Sequence, residues 1–461
     1  MGSKKRIDLL DKAPWLKKLV KMRSFQFILI LPNLVLFFLF LIAGVIGNPM
    51  GSQNIIIVFV WILWWVVLIG ILVPFGSRLW CTMCPLPIIG EWFQRGAIAG
   101  VRKGKPFGLN KKWPSALKNI WPQNIGFLCL AIFSALLVTR PIVSVFVLGG
   151  MILVAIVLHL IYEKRSFCMY ICPVGGFLGL YSMCSTLELR VKDPEVCRQH
   201  KEKDCIRGNE NGYGCPWFQY PGNQTRNNYC GLCTECIKTC PLDNIAVNVR
   251  PFASDDKIKN YDEAWKAFIM ITLAMVYSVT LLGPNAEIKD WANATFTGEW
   301  RGFLTYALVV LSSALAGFPA VYAVFAWLAK VFSGNKEVSF ENVFIRYSFV
   351  LVPMGLLAWI AFSVPLVMIN GAYIVSVISD PMGWGWDLFG TKEIHWHPVL
   401  PGWVPYIQAV LLMVGLWFSI KKGHDVGRQL FKTKGEVIRS LIPITVLLIG
   451  VVIAFLTQYV N

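Results

Sequence analysis

The sequence predicts a mainly α-helical, polytopic membrane bundle of about nine transmembrane helices that carries an inserted, polar, cysteine-rich domain. Three observations predict it. Hydrophobic residues make up 56% of the chain and charged residues 15%, where soluble domains hold about a quarter charged. Mean hydropathy is +0.57. The apolar residues fall in runs long enough to cross roughly 30 Å of hydrocarbon, which takes about 20 residues, and one long polar stretch interrupts them.

The spans read as 25–47, 54–75, 122–139, 141–162, 264–284, 302–332, 346–370, 404–420 and 437–459. The first run is too long, and lacks the small-residue cleavage site, for a removable signal peptide, so it is expected to stay as an anchor. The net charge of +17 would suit nucleic acid if it were spread over a soluble face. Instead the cations cluster at Lys4, Lys5, Arg6, Lys12, Lys17, Lys18, Lys21 and Arg23, again at Arg78 to Lys112, and again at Lys421 to Lys434. That is the asymmetry of cytoplasmic loops. It excludes nucleic acid as the partner. It predicts an inner (cytoplasmic) membrane location, with the N-terminus and the 163–263 segment cytoplasmic. An odd span count leaves the C-terminus outside.

Four segments follow. Residues 1–24 form a basic cytoplasmic N-terminus. Residues 25–182 form a four-helix membrane half with two Cys-Pro loops. Residues 183–263 form the polar cytoplasmic domain, and 264–461 form a five-helix half without cysteine. Its outer loop, about 371–403, is rich in Trp, Gly and Pro, as at an interfacial belt. His395 and His397 there read more simply as loop residues than as metal ligands. A weak repeat joins "GSRLWCTMCPLP" to "EKRSFCMYICPVGG": each reads basic–x–aromatic–Cys, then Cys-Pro, after a helix pair.

The chain has 13 cysteines. Disulfides are disfavoured in a reducing cytoplasm, so metal ligation is the stronger reading. The sharpest signal is Cys230-x2-Cys233-x2-Cys236-x3-Cys240-Pro241, the ferredoxin run that holds a [4Fe–4S] cluster. A tight loop presents three thiolates, and the fourth sits one turn on. Structural zinc pairs two knuckles across a longer gap instead. The 183–263 segment is therefore expected to be ferredoxin-like.

Upstream lie Cys197, Cys205 and Cys215-Pro216, which resemble an opened-out second run. Two pairings are open. If the fourth cysteines cross over, as in two-cluster ferredoxins, Cys215 completes Cys230, Cys233 and Cys236. Cys240 then joins Cys197 and Cys205, with Cys184 as candidate fourth ligand. If they do not cross, Cys184, Cys197, Cys205 and Cys215 hold one cube and the intact run the other. Cys81, Cys84, Cys168 and Cys172 form a third group, at helix ends on one membrane face, expected to hold a further cluster or metal. Cys129 reads as core. His159, alone in its span, reads as a satisfied core histidine, and no nucleotide fingerprint or haem-attachment motif is present.

Arg78-x-Trp80-Cys81-x2-Cys84-Pro85, Phe167-Cys168-x3-Cys172-Pro173-x-Gly175 and the run ending Cys240-Pro241 resemble the NapH/NosR-type polyferredoxin membrane proteins, quinol-dehydrogenase-like subunits, over roughly residues 25–250. The chain departs from that pattern in its CxxCP spacing, its opened first run and its five cysteine-free C-terminal spans. The cysteine groups are expected to hold two [4Fe–4S] clusters and a third cluster or metal at the Cys-Pro loops. The resemblance implies clusters on the cytoplasmic side and traffic with quinone or quinol or with a periplasmic redox partner. Trp80, Phe167 and Tyr170 are candidate quinone-lining residues. The expected function is a membrane electron-transfer subunit between the quinone pool and a partner oxidoreductase within a respiratory complex. Its partners would be membrane lipid and other redox subunits, including an extracytoplasmic cytochrome or metalloenzyme. The alternative is a metal-reducing or regulatory factor in the assembly of a metalloenzyme.

Overall fold

A computed structural model describes residues 6–98, 107–282, 287–394 and 397–460. Among them, eight helices are long and apolar enough to cross a bilayer: Phe25–Ile46, Ile55–Gly76, Pro141–Ile161, Tyr261–Leu281, Trp300–Ser333, Phe340–Met368, Pro401–Leu430 and Lys434–Tyr459. Helix is the form these runs must take, because hydrocarbon offers backbone N–H and C=O groups no other partner. Pro32, Pro365 and Pro443 sit inside three of the helices, a placement that membrane helices tolerate.

The span expected at 122–139 differs. It consists of two helices, Trp121–Ile132 and Ser134–Leu137. They part at Phe133, whose φ of −90° and ψ of 7° lie in the bridge region. Leu109 and Lys111 donate backbone N–H groups to the Leu160 and Ile161 carbonyls (2.7 and 2.8 Å), so the chain that leaves at Lys111 returns to the same end. The broken pair is the outward leg of that excursion, and Pro141–Ile161 the return.

The chain divides into two compact units. The first comprises Met1–Ile42, Ile71–Gln123 and Val145–Asp255. Its polar, cysteine-rich part is built on a three-stranded antiparallel sheet. Leu187–Val191 pairs with Ile245–Val249 from Leu187↔Val249 to Val191↔Ile245. Ile7–Asp8 adds to the other edge of Ile245–Val249. The basic N-terminal segment is thus built into the cysteine-bearing unit. Leu10 and Val20 bury against Leu189, Leu232, Ile237 and Ile245. Lys17 and Lys21 both bind Asp243. Gln26 donates to the Cys233 carbonyl and, at 3.0 Å, to Glu235 Oε1.

The second unit comprises Ala43–Gly70, Asn124–Ser144 and Asp256–Asn461. Trp359 lies at its centre, donating Nε1–H to the Met270 carbonyl (3.0 Å) and meeting Trp65 and Tyr277 edge to face. Gly415 lets Pro401–Leu430 approach Phe340–Met368: a Cβ there would lie 3.2 Å from Met354 Sδ, the small-residue contact of membrane helices. Hydroxyl pairs Ser278–Tyr459 (2.8 Å) and Tyr347–Ser440 (2.7 Å) tie the helices laterally. In the Trp-rich loop, the Asp380 carboxylate accepts from Trp384 N and Gly385 N. His395 and Trp396 lie outside the described residues. Cys129, expected in the core, is exposed.

Candidate metal centres

The two Cys-Pro loops differ by one residue in spacing, and the backbone accommodates each. Cys81 and Cys84 bracket one α-turn, Trp80–Met83. Cys168 and Cys172 bracket the π-turn Phe167–Ile171, closed by Cys172 N–H to the Phe167 carbonyl at 2.9 Å. Cys84 (ψ 128°) and Cys172 (ψ 115°) are extended, as residues before proline must be. Each helix therefore stops at a cysteine, and Cys172 also caps the next helix, Pro173–Tyr181, its Sγ accepting from Gly175 N.

These four thiols come together. Burial pushes Cys84 upward, and Cys172 and Cys81 add to the rise. Cys168 is raised by burial too; Arg165 opposes the rise, while Cys172, Cys84 and Cys81 reinforce it. Cys172 is raised by burial to about 11, with the Gly175 N–H donating to its Sγ at 3.3 Å. Four thiolates in such a place would repel one another and pay for desolvation, and a bound cation or cluster removes both penalties.

A second group forms in the polar, cysteine-rich part. Burial raises Cys236, with Cys230, Cys233 and Cys215 next in order. Cys215 is raised by burial and then by Cys230, to about 11. Cys215 thus lies in the field of Cys230, Cys233 and Cys236, and Cys205 in the fields of both Cys236 and Cys215. A third group contains Cys197, Cys205 and Cys240. Burial and then Cys197, Cys240 and Cys215 raise Cys205 to about 11. Asn244 donates Nδ2–H to Cys197 Sγ (3.2 Å) and N–H to Cys240 Sγ (3.4 Å). Cys184 sits elsewhere, beside the Arg250 guanidinium, with its carbonyl accepting from Ala253 N.

Two buried arginines stand between the first two groups. Both occupy the basic position of the repeat, three residues before the first cysteine of each loop. Arg165, 1% exposed, donates Nη1–H to the Cys81 carbonyl at 2.8 Å and acts on both Cys168 and Cys233. Arg78, 2% exposed, donates Nη1–H to the Asn228 carbonyl (2.8 Å) and acts on Cys172 and Cys230. Trp217 lies against both, 4.4 Å from the Arg78 guanidinium and 5.9 Å from that of Arg165. The Thr82 hydroxyl donates to the Gly231 carbonyl at 2.7 Å, tying the Cys81–Cys84 turn to the ferredoxin run. Asn227 fixes that run: its Nδ2 donates to Ser77 Oγ (3.0 Å), Ser182 O (3.1 Å) and Leu187 O (2.9 Å).

The thiol groups suit iron–sulfur cubes on a further observation. Arg78 Nε and Nη2 have no hydrogen-bond partner among the described residues although buried. A buried cation with unused donors needs an anion. Oxidised four-thiolate cubes are anions, and Arg78 faces thiols of two groups.

The comparisons with known proteins agree. Residues 57–106 and 144–190 match the family described as a 4Fe-4S binding domain. The chain is a membrane protein with a 4Fe–4S binding domain. The matched segments contain Cys81, Cys84, Cys168, Cys172 and Cys184, and the Cys197–Cys240 stretch lies outside them. No curated protein and no solved structure matches the chain.

Of the aromatic residues expected to line a quinone site, Phe167 is buried. Tyr170 stacks on Trp113 with ring centroids 5.0 Å apart. Trp80 is half-buried. The sequence reading missed Glu91. It lies buried beside the first thiol group, accepts two hydrogen bonds from Arg165 and pairs with Arg95. His159 lies in its field. The His159 Nδ1 bonds the Ala155 carbonyl at 2.7 Å, and its Nε2 has no hydrogen-bond partner among the described residues.

Proposed function

We propose that this chain is a membrane electron-transfer subunit that exchanges electrons between the quinone pool and a partner oxidoreductase in a respiratory complex, through [4Fe–4S] clusters on the cytoplasmic side of the inner membrane. The observation that carries the reading is the pairing of two four-cysteine groups across Arg78, Arg165 and Trp217. Cys81, Cys84, Cys168 and Cys172 would hold one cube; Cys215, Cys230, Cys233 and Cys236 would hold the next. Bound cubes would supply one-electron carriers with potentials set by hydrogen bonds to sulfur, burial and charge.

The protein's own part is to hold thiols at helix ends, exclude water and place cations. Buried guanidinium groups favour the added negative charge of a reduced centre. Oxidation of a quinol also releases protons, and the unpartnered His159 Nε2 near Glu91 is a group able to take one. Positive loops put this end in the cytoplasm. With the polar cysteine-rich part in the cytoplasm, the five long apolar helices that follow it among the described residues would carry the C-terminus to the outside.

Anaerobic protein in vesicles tests the reading. A reduced short-chain quinol should produce the same cluster EPR signals that dithionite produces. Signals with dithionite and none with any quinol would rule out the quinone pool as the source.

A further inference from the structure

We propose that Cys197, Cys205 and Cys240 hold a cluster on three protein thiolates, leaving its fourth iron to a non-thiolate ligand. This rests on the iron–sulfur reading above and goes beyond it in chemistry.

The three belong together by geometry. One residue, Asn244, donates to Cys197 Sγ and to Cys240 Sγ. Cys205 is a buried member of one core cluster together with Cys236, and Cys240, Cys230 and Tyr220 pack against it. The Tyr220 hydroxyl donates to the Cys197 carbonyl at 2.6 Å. Cys215 N–H bonds the Cys205 carbonyl at 2.8 Å, but its segment continues onto the neighbouring group. There Trp217 packs so closely on Gly231, next to Cys230, that a Cβ would lie 2.2 Å from Trp217 Nε1; Cys215 is therefore assigned to that group.

Cys184, the remaining candidate in this unit, is at the wrong end of the sheet. Its neighbourhood is the Leu187↔Val249 end: Arg250 N donates to Thr186 O and Ala253 N to Cys184 O. Asn244 is at the Val191↔Ile245 end, where its carbonyl accepts from Lys192 N. Four residue steps of about 3.3 Å separate the two ends, roughly 13 Å. That distance exceeds the reach of two ligands on one cube.

The segment joining Cys197 to Cys205 offers other donors. His200, Glu202 and Asp204 bring one ligand atom each within 4.8 Å of one another. With no fourth thiolate in reach, the open iron takes a nitrogen, carboxylate or water ligand, which is weaker than thiolate towards iron in a cluster.

Such an iron leaves on mild oxidation. Added ferricyanide takes one electron and becomes ferrocyanide. The four-iron cluster of charge 2+ then releases Fe(II) and remains as a three-iron cluster of charge 1+. Treating anaerobic full-length protein with ferricyanide should give the EPR signal of an oxidised three-iron cluster at roughly one per chain. Fe(II) and thiol should reverse it. Cys184→Ser should keep iron content and signal, and Cys205→Ser should lose the signal. If the protein holds iron and sulfide but gives no three-iron signal, or if Cys184→Ser removes a cluster, the inference fails and the electron-transfer reading survives. If Cys205→Ser retains the signal, the open cluster is in another group. Protein without iron and sulfide overturns both.

Discussion

Arg165 donates to a single oxygen of Glu91, Oε2, through both Nε (2.9 Å) and Nη2 (2.6 Å), while its Nη1 holds the Cys81 carbonyl. One guanidinium thereby joins the helix Ile88–Arg95 to the turn that presents a cluster-binding cysteine. Burial works against the Arg165 charge, and Glu91 reverses that and raises it. Burial works against the Glu91 charge too, but Arg165 and Arg95 bring the carboxyl down to about 2.

Removing one partner leaves the other buried and charged, at a cost of about 3–5 kcal/mol. Glu91→Gln should lower the thermal midpoint accordingly. Glu91 titrates lower in the folded protein than its ordinary 4.5. The stability difference between wild type and Glu91→Gln should therefore be flat above pH 4.5 and shrink as pH falls toward 2. A difference that stays constant down to pH 3 would refute the assignment of the shift.

The Cys-Pro loops should hold a cluster separable from the ferredoxin run. Cys84→Ser should remove about a third of the iron and sulfide and leave the signals of the other centres. Unchanged iron in a folded Cys84→Ser protein would make these cysteines structural only.

Gly231 has no room for a side chain, since a Cβ would fall 2.2 Å from Trp217 Nε1. Gly231→Ala should displace Trp217, cost about 1–3 kcal/mol and broaden the EPR lines of the adjacent centre. Wild-type line shapes would show that the Trp217 contact is slack.

Asn227→Ala removes the Nδ2 donor shared among Ser77 Oγ, Ser182 O and Leu187 O, and buried acceptors left unmet cost about 1–3 kcal/mol. The expected result is faster loss of iron to a chelator. An unaltered rate would mean that the loop is held by its other contacts.

His159→Ala should slow quinol-driven reduction of the clusters while leaving dithionite reduction and iron content as they are. Equal slowing with both reductants would make His159 a packing residue.

Much of this arrangement is legible in the chain, for a local reason. Spacings such as Cys230 to Cys240, and Cys-Pro at helix ends, encode ligand geometry within a few residues. The repeat also displays Arg78 and Arg165. What it does not display is that both cations are buried and shared between thiol groups, because that depends on contacts with Glu91, Asn228 and Trp217, remote in sequence. The strand Ile7–Asp8 is too short to leave a pattern and exists only through its pairing with Asn248 and Val249. The break at Phe133 carries neither proline nor glycine. His159 reads as an ordinary core residue until Glu91 is seen beside it.

The most direct test is iron and acid-labile sulfide per chain on anaerobically purified protein, with EPR after dithionite reduction. The account predicts about twelve irons, matched by sulfide, with interacting paramagnetic centres. Zinc without sulfide, or about four irons with a single isolated signal, would contradict it.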